Sequence, residues 1–277
     1  MIKIKQCRYG PMLFPANDKW VGRSFDLYGE AFEQQISLMS KFIKPGDVVI
    51  DAGANIGSMT IPFAQRVGPD GAVWSFEPQE FLYYVLCGNI AANNLYNVRA
   101  IRKGVEADSL QNLYCPSSRL KNADGVSFYD DHLQHFAGVF LTEEPQFETD
   151  DAVETIAIDD LPLKRLDFLK LDIEGAEIAA LEGAQQTIAK FGPVMFIESM
   201  PWSMPKLVEA VESLDYVYRS CRLKFFNPNN FLGNPVDELR EAANPDHPMM
   251  SSDIICFPKH LADEFDLKYF KAIKETL

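Results

Sequence analysis

The sequence contains no apolar run approaching the roughly 18 residues that a membrane-spanning helix needs. Its opening, MIKIKQCRYG, lacks the continuous apolar region of a signal peptide, so a cytoplasmic location is expected. Cysteine is scarce and irregular: Cys7, Cys87, Cys115, Cys221 and Cys256 are an odd number, widely spaced, with no CxxC pair. That pattern excludes a zinc framework and leaves reduced thiols as the plain expectation. Basic charge is in deficit, with 26 Lys and Arg against 40 Asp and Glu, a net charge of −14. Non-specific nucleic-acid affinity comes from neutralising phosphates with basic side chains, so no nucleic-acid partner is expected. Histidine is limited to four residues, and internal repeats and low-complexity tracts are absent.

What remains is an ordinary soluble composition, 47% hydrophobic and 24% charged. At 277 residues the chain can bury a substantial core unaided, and one domain over 1–277 is expected. Residues 1–45 form a lead-in with a helical candidate near 30–44. KPGD at 44–47 launches VVID at 48–51, β-branched residues that end at an acid and glycines. This is the pattern of a buried parallel strand entering a tight turn. A helix near 57, a strand at 71–78, a helix at 80–94 and a strand at 97–105 follow. Strand and helix in alternation indicate an open α/β sheet. Residues 106–155 break the rhythm as an insertion of short strands and loops. The core resumes over 156–200, with strands at 167–173 and 193–198 around a helix at 176–190. The C-terminal part, 201–277, holds a helix near 205–213, strands at 216–220 and 253–258, an irregular loop at 227–235 and a terminal helix.

Three segments carry chemistry. DAGANIG at 51–57 follows a strand directly. Gly53 permits a sharp turn and close approach of a ligand, and Gly57 permits close packing of the next helix. The spacing is GxxxG rather than the GxGxxG of dinucleotide enzymes, whose loop is built around a pyrophosphate. Asp51 at the strand end would repel a diphosphate and suits a cationic or amine-bearing ligand such as S-adenosylmethionine. A tight turn without a ligand is the alternative. Glu77 ends the second strand, 26 residues after Asp51. There it could accept both hydroxyls of a ribose in the crevice beyond the strand ends, or serve as an ordinary solvated acid. KLDIEGAE at 170–177 puts Lys170 and Asp172 on one face of a strand, followed by Glu174 and Glu177. Carboxylates gathered at a sheet mouth need a lysine, helix N–H groups, a metal or a cationic substrate centre to offset their repulsion. Glu174 and Glu177 could equally be first-turn helix acids.

The set VVIDAGANIG, FEP, KLDIEGAEIAALEGA and VMFIE resembles the FkbM family of S-adenosylmethionine-dependent methyltransferases over roughly residues 45–200. The resemblance implies a class I methyltransferase fold, Rossmann-like, with a mostly parallel seven-stranded sheet whose last strand is antiparallel. It implies methyl transfer to hydroxyl oxygens of sugars, glycans or secondary metabolites. By the same resemblance Asp51, Gly53, Asn55 and Gly57 belong to the cofactor loop and Glu77 to the ribose site. Asp172, Glu174, Gly175 and Glu177 belong to the acidic signature, and Glu198 closes the fifth strand.

An alcohol needs a general base or a metal before it attacks a methyl group. His132 and His135, three apart in DDHLQH, are one candidate pair, as bases or as metal ligands, or they lie in a polar surface turn. His247 and His260 read as loop and solvent-facing residues. Asp172 is the other candidate base, and with Glu174 or Glu198 it could hold a divalent cation. Acceptor-contact candidates are Glu174, Glu198, Tyr28, Trp202 and Asn230, with Phe225, Phe226, Phe231 and the neighbouring asparagines 227, 229 and 234. Those aromatics also suit core packing, and the asparagines suit turns. The partner expected is a small-molecule or glycan acceptor, with self-association left open. Alternatives are an N-methyltransferase, a non-catalytic cofactor-binding scaffold and, disfavoured by the glycine spacing, a nicotinamide enzyme. Residues 143–182 hold 13 acids against 3 basic residues, so the acidity is concentrated towards the proposed catalytic strand.

Overall fold

A computed structural model describes residues 1–115, 141–145, 150–239 and 250–265. Its centre is a seven-stranded sheet of β3 (Val48–Ala52), β4 (Ala72–Phe76), β5 (Val98–Ile101), β9 (Phe168–Leu171), β10 (Val194–Glu198), β11 (Tyr216–Cys221) and β12 (Asp253–Pro258). The spatial order is β11-β12-β10-β9-β3-β4-β5. β3, β4, β5, β9 and β10 pair in parallel, whereas β12 runs antiparallel to both β10 and β11. The expected mostly parallel sheet with an antiparallel last strand is therefore present. The chain moves outward from β3 to β5, then returns to lay β9 on the other side of β3. The crevice between β3 and β9 is the switch point at which open α/β sheets bind ligands.

Alternation along the strands divides the core between the two faces of the sheet. Ile50, Trp74, Phe76, Leu169, Leu171, Met195 and Ile197 pack on one face. Their cover includes α5 (Glu177–Glu182), α6 (Gln185–Phe191) and α7 (Met204–Ser213). Val49, Val73, Phe168, Phe196, Ile255 and Phe257 pack on the other, against α2 (Glu33–Met39) and α3 (Thr60–Val67). Both faces being covered explains why these strands read as near-continuous apolar runs.

Two expectations need correction. The lead-in is not simply helical. It opens with an antiparallel hairpin of β1 (Ile2–Cys7) and β2 (Gly10–Pro15), followed by α1 (Val21–Tyr28) and α2. The hairpin docks on α4 (Glu80–Ala92) through fully buried Asn89. Its amide accepts from Leu13 N–H at 2.6 Å and donates to the carbonyls of Leu13 and, in the cofactor-loop segment, Ile56. The single helix expected over 176–190 is two, α5 and α6. They break at Gly183, where a Cβ would lie 2.3 Å from the Glu106 carbonyl oxygen. Asp159 then caps α6 by accepting from Gln186 and Thr187 N–H groups.

The insertion contains short strands, as expected. β6 (Gly104–Val105), β7 (Asn112–Cys115) and β8 (Asp151–Ile156) form a small separate sheet. β6 takes the end of the strand expected over 97–105 and pairs with β8 instead of β4. His132, His135 and His247 lie outside the described residues. No helix among the described residues is long and apolar enough to cross a membrane. The five cysteines are unpaired.

Candidate active site

A cavity of about 450 Å³ opens at the carboxyl ends of β3, β4, β9 and β10. That is ample for a small ligand. The turn after β3 supplies Gly53, Ala54, Asn55, Ser58 and Met59, and β4 leads to Glu77, Pro78 and Gln79. The turn after β9 supplies Asp172, Ile173 and Glu174, and β10 supplies Glu198. The lead-in closes one side with Trp20, Val21, Phe32 and Gln35, and Lys103 to Val105, Ser199, Phe225 and Met250 to Asp253 add to the wall.

Gly53 has φ of +76°, and a Cβ there would lie 1.7 Å from the Asp172 carbonyl oxygen. The glycine is demanded by the neighbouring strand's backbone, so the turns after β3 and β9 touch directly. Gly57 does not line the cavity. Its missing Cβ makes room for Leu86 of α4, in keeping with the packing role read from its spacing.

Asp51 is also beneath the cavity rather than on its surface. It is fully buried, accepts from Thr60 Oγ1 at 2.6 Å and pairs with Lys170 Nζ at 2.9 Å. Lys170 is itself buried. It donates to the carbonyls of Ala52 and Gly53 and lies 3.5 Å from an Asp172 oxygen. Burial alone would lower its affinity for a proton, but Asp51 and Asp172 outweigh that and hold the ammonium above its usual range.

Glu77 is 4% exposed and lines the cavity. Its two oxygens accept from the N–H groups of Asn55 at 2.8 Å and Gln79 at 2.9 Å. Burial pushes its pKa up to about 7, opposed by those two hydrogen bonds. Asn55 reaches this arrangement in a left-handed conformation, φ of +52°, and its side-chain oxygen accepts from Ile56 N–H.

Asp172, Glu174 and Glu198 converge, each offering an oxygen within 4.8 Å of the others. Three such oxygens could hold a cation, and exposed acids also gather without one. Burial first, then Asp172, Glu174, Glu177 and Asp253, push Glu198 up to about 10. Glu177 does not line the cavity. It braces the turn after β9, accepting from Ile173 and Gly175 N–H groups at 3.1 Å.

Of the acceptor-contact candidates, Glu174, Glu198 and Phe225 line the cavity, while Tyr28, Trp202, Phe226, Phe231 and the asparagines 227, 229, 230 and 234 do not. Trp202 is 72% exposed. Asn230 spends its amide on the backbone of Asn227 and Asn234, which is turn chemistry. The Tyr28 hydroxyl accepts from Glu238 N–H at 2.8 Å, and its ring meets Phe226 edge-on. Asp253, Gln35 and Ser58 are among the cavity residues that escaped the sequence reading. Asp253 opens β12 opposite Glu198, is 5% exposed and accepts from Gln35 Nε2 at 3.4 Å. Burial pushes it up to about 7. An acid opening a wholly apolar strand was a visible signal for Asp253. Gln35 on the lead-in helix and Ser58 after the glycine turn carried none.

The arrangement suits S-adenosylmethionine. A recessed carboxylate, Glu77, can accept ribose hydroxyls, and the cavity is acid-rich. The chain is 29% identical over 157 residues to a protein named methyltransferase sdnD from Sordaria araneosa, covering 50% of this chain and 60% of that one. It is 29% identical over 143 residues to methyltransferase 1 from Beauveria bassiana, covering 49% and 57%. The chain thus matches less than two thirds of the length of either. Among solved structures it aligns with a methyltransferase FkbM from Methylobacillus flagellatus KT at 17% identity and a TM-score of 0.48, covering 76% of this chain and 43% of that one. Residues 51–220, more than half the chain, match the family described as the methyltransferase FkbM domain, and the chain belongs to that family.

Proposed function

We propose that the protein transfers a methyl group from S-adenosylmethionine to a hydroxyl oxygen of a small molecule, sugar or glycan, in secondary-metabolite or polysaccharide biosynthesis. The observation that carries this reading is one cavity that gathers two sets of residues. Glu77 and the turn at Gly53–Asn55 are one set, suited to the cofactor, and Asp172, Glu198 and Asp253 are the other, suited to the acceptor. When bound, the cofactor supplies an electrophilic methyl carbon on a sulfonium.

The chain's own residues do the rest. Glu77, held by two backbone N–H groups, accepts the ribose hydroxyls. Lys170 fixes Asp51 beneath the turn and draws Asp172 towards the mouth, so the two strand ends keep one geometry. Asp172 takes the proton of the acceptor hydroxyl, with His132 and His135 as the alternative bases. Phe32, Phe225 and Met250 wall the cavity with apolar surface and exclude water. Alignment of the acceptor with the methyl carbon then supplies much of the rate. The whole of 1–277 acts as one domain in this reading.

A second reading adds a divalent cation on Asp172, Glu174 and Glu198, favoured by their three converging oxygens. Labelled S-adenosylmethionine, offered with matched panels of alcohols and amines, tests the main reading. Label in ethers supports it, and label confined to amines overturns it in favour of N-methylation. Loss of transfer on chelation, restored by magnesium, would support the second.

A further inference from the structure

We propose that Phe32, Gln35, Phe225 and Asp253 form the acceptor-binding wall, and that this wall selects an uncharged ring with neighbouring hydroxyls, a neutral sugar, over uronic acids and sugar phosphates. The inference deepens the hydroxyl methylation proposed above and rests on it.

All four residues line the cavity, and none lies within 51–220, the stretch shared with the family. The wall is assembled from segments on either side of that stretch. Gln35 Nε2 donates to Asp253 Oδ2 at 3.4 Å, and the rings of Phe32 and Phe225 meet edge-on with centroids 5.4 Å apart. Beside them Gln34 Oε1 accepts from Lys224 N–H at 3.0 Å, which ties the two segments together.

Two of these placements are costly to the fold. Phe32 has φ of +59°, a left-handed conformation that bulky residues rarely adopt. Such strain gathers at sites that hold ligands. Asp253 is 5% exposed at the head of a strand that is buried throughout. Its backbone is fixed on both sides, opposite Glu198 in β10 and Cys221 in β11. A carboxylate taken from water without a role lowers stability. Together the four give an apolar face beside a polar pair. Aromatic rings take the C–H face of a ring. A side-chain amide carries two N–H donors and one acceptor, and a carboxylate carries two acceptor oxygens. The Gln35–Asp253 bond therefore leaves donor and acceptor capacity together, matched to hydroxyls that both donate and accept. The hydroxyl to be methylated faces Asp172, and its neighbours on the ring are held by Asp253 and Gln35.

Charge sets what is refused. Asp172, Glu174 and Glu198 line the same cavity. The cations of the described lining are Lys170, paired with Asp51 and Asp172, and Lys103, paired with Glu154 at 2.8 Å. An anionic acceptor meets like charge with both lysines already engaged, and an uncharged one does not.

Label transfer from S-adenosylmethionine by the full chain tests this. The acceptors are methyl hexosides, the matching uronosides and 6-phosphates, 2-amino sugars, and simple alcohols with a single hydroxyl. The neutral hexosides are expected to exceed their anionic counterparts at least about tenfold in kcat/KM. Asp253→Asn should raise KM for them about tenfold, the loss of a hydrogen bond to a charged group, and should narrow the preference for neutral over anionic acceptors. Gln35→Leu and Phe225→Leu should raise KM several-fold with kcat little changed. Unaltered S-adenosylhomocysteine affinity by calorimetry shows that each variant is folded. Anionic acceptors used as well as neutral ones, no labelled hexoside, or unchanged KM in all three variants overturns the inference. Label in simple alcohols but in no hexoside overturns it and leaves hydroxyl methylation standing. Label confined to amines overturns both.

Discussion

Lys170 and Asp51 form an ion pair of 2.9 Å in which the lysine side chain is 2% exposed and the aspartate 0%. The pair joins β9 to β3 directly under the turn that lines the cavity. Removing one partner of a buried pair leaves an uncompensated charge in a low-dielectric interior. Lys170→Met is therefore expected to cost about 3–5 kcal/mol of folding stability. Combining it with Asp51→Leu should recover part of that loss. Urea unfolding of the single and double variants measures both. A single variant as stable as the parent would show that the pair does not hold the strand ends together.

Glu77 gives a pH dependence with a definite sign. Burial raises its folded value to about 7, above the ordinary glutamate range. Its contribution to stability is complete below the unfolded value near 4.5 and is lost as pH rises through about 7. The ionised form is the better acceptor of ribose hydroxyls, so cofactor affinity should move oppositely. Affinity for S-adenosylhomocysteine is expected to rise between pH 6 and 8 in the parent. Glu77→Gln should be weaker and flat across that interval. A parent profile as flat as the variant's would remove Glu77 from the ribose site.

Gly53 and Gly46 separate backbone strain from steric conflict. Both have positive φ, +76° and +84°, but a Cβ at Gly46 meets nothing within 4 Å. Gly46→Ala should cost about 1 kcal/mol, from φ alone. Gly53→Ala adds collision with the Asp172 carbonyl and should cost several times more, with loss of cofactor binding. Thermal unfolding and calorimetry of the two variants test this, and equal costs would contradict the close approach of the two turns.

Trp202 and Asn230 should behave as residues outside the site. Trp202→Ala is expected to change stability by less than about 0.5 kcal/mol, as exposed substitutions usually do. Asn230→Ala removes the bonds that close the 227–234 turn, whose backbone partners are only partly buried, and should cost about 1 kcal/mol. Neither should alter cofactor affinity. A tenfold weakening from either would return that residue to the cavity wall.

The core was legible because its signals are local. VVID, FEP and KLDIEG each couple a buried strand to the acid or glycine that ends it, and the strands lie where those runs fall. The lead-in hairpin was legible in principle, since Ile2 and Ile4 alternate with Lys3 and Lys5 ahead of Gly10, a period of two that an overall helical reading passed over. Glu198 and Asp253 lie opposite each other only because β12 turns back antiparallel beside β10. Gln35 reaches Asp253 across 218 positions of sequence. Such contacts leave no local pattern. The asparagine loop misled for the converse reason: groups suited to gripping hydroxyls are also those that close turns, and here Asn230 is consumed by its own backbone.

Equilibrium dialysis with methyl-labelled S-adenosylmethionine tests the central claim most directly. The account predicts one equivalent bound per chain, displaced by S-adenosylhomocysteine, insensitive to excess NAD, and lost in Glu77→Ala. No retained label, displacement by NAD, or undiminished binding in Glu77→Ala would contradict it.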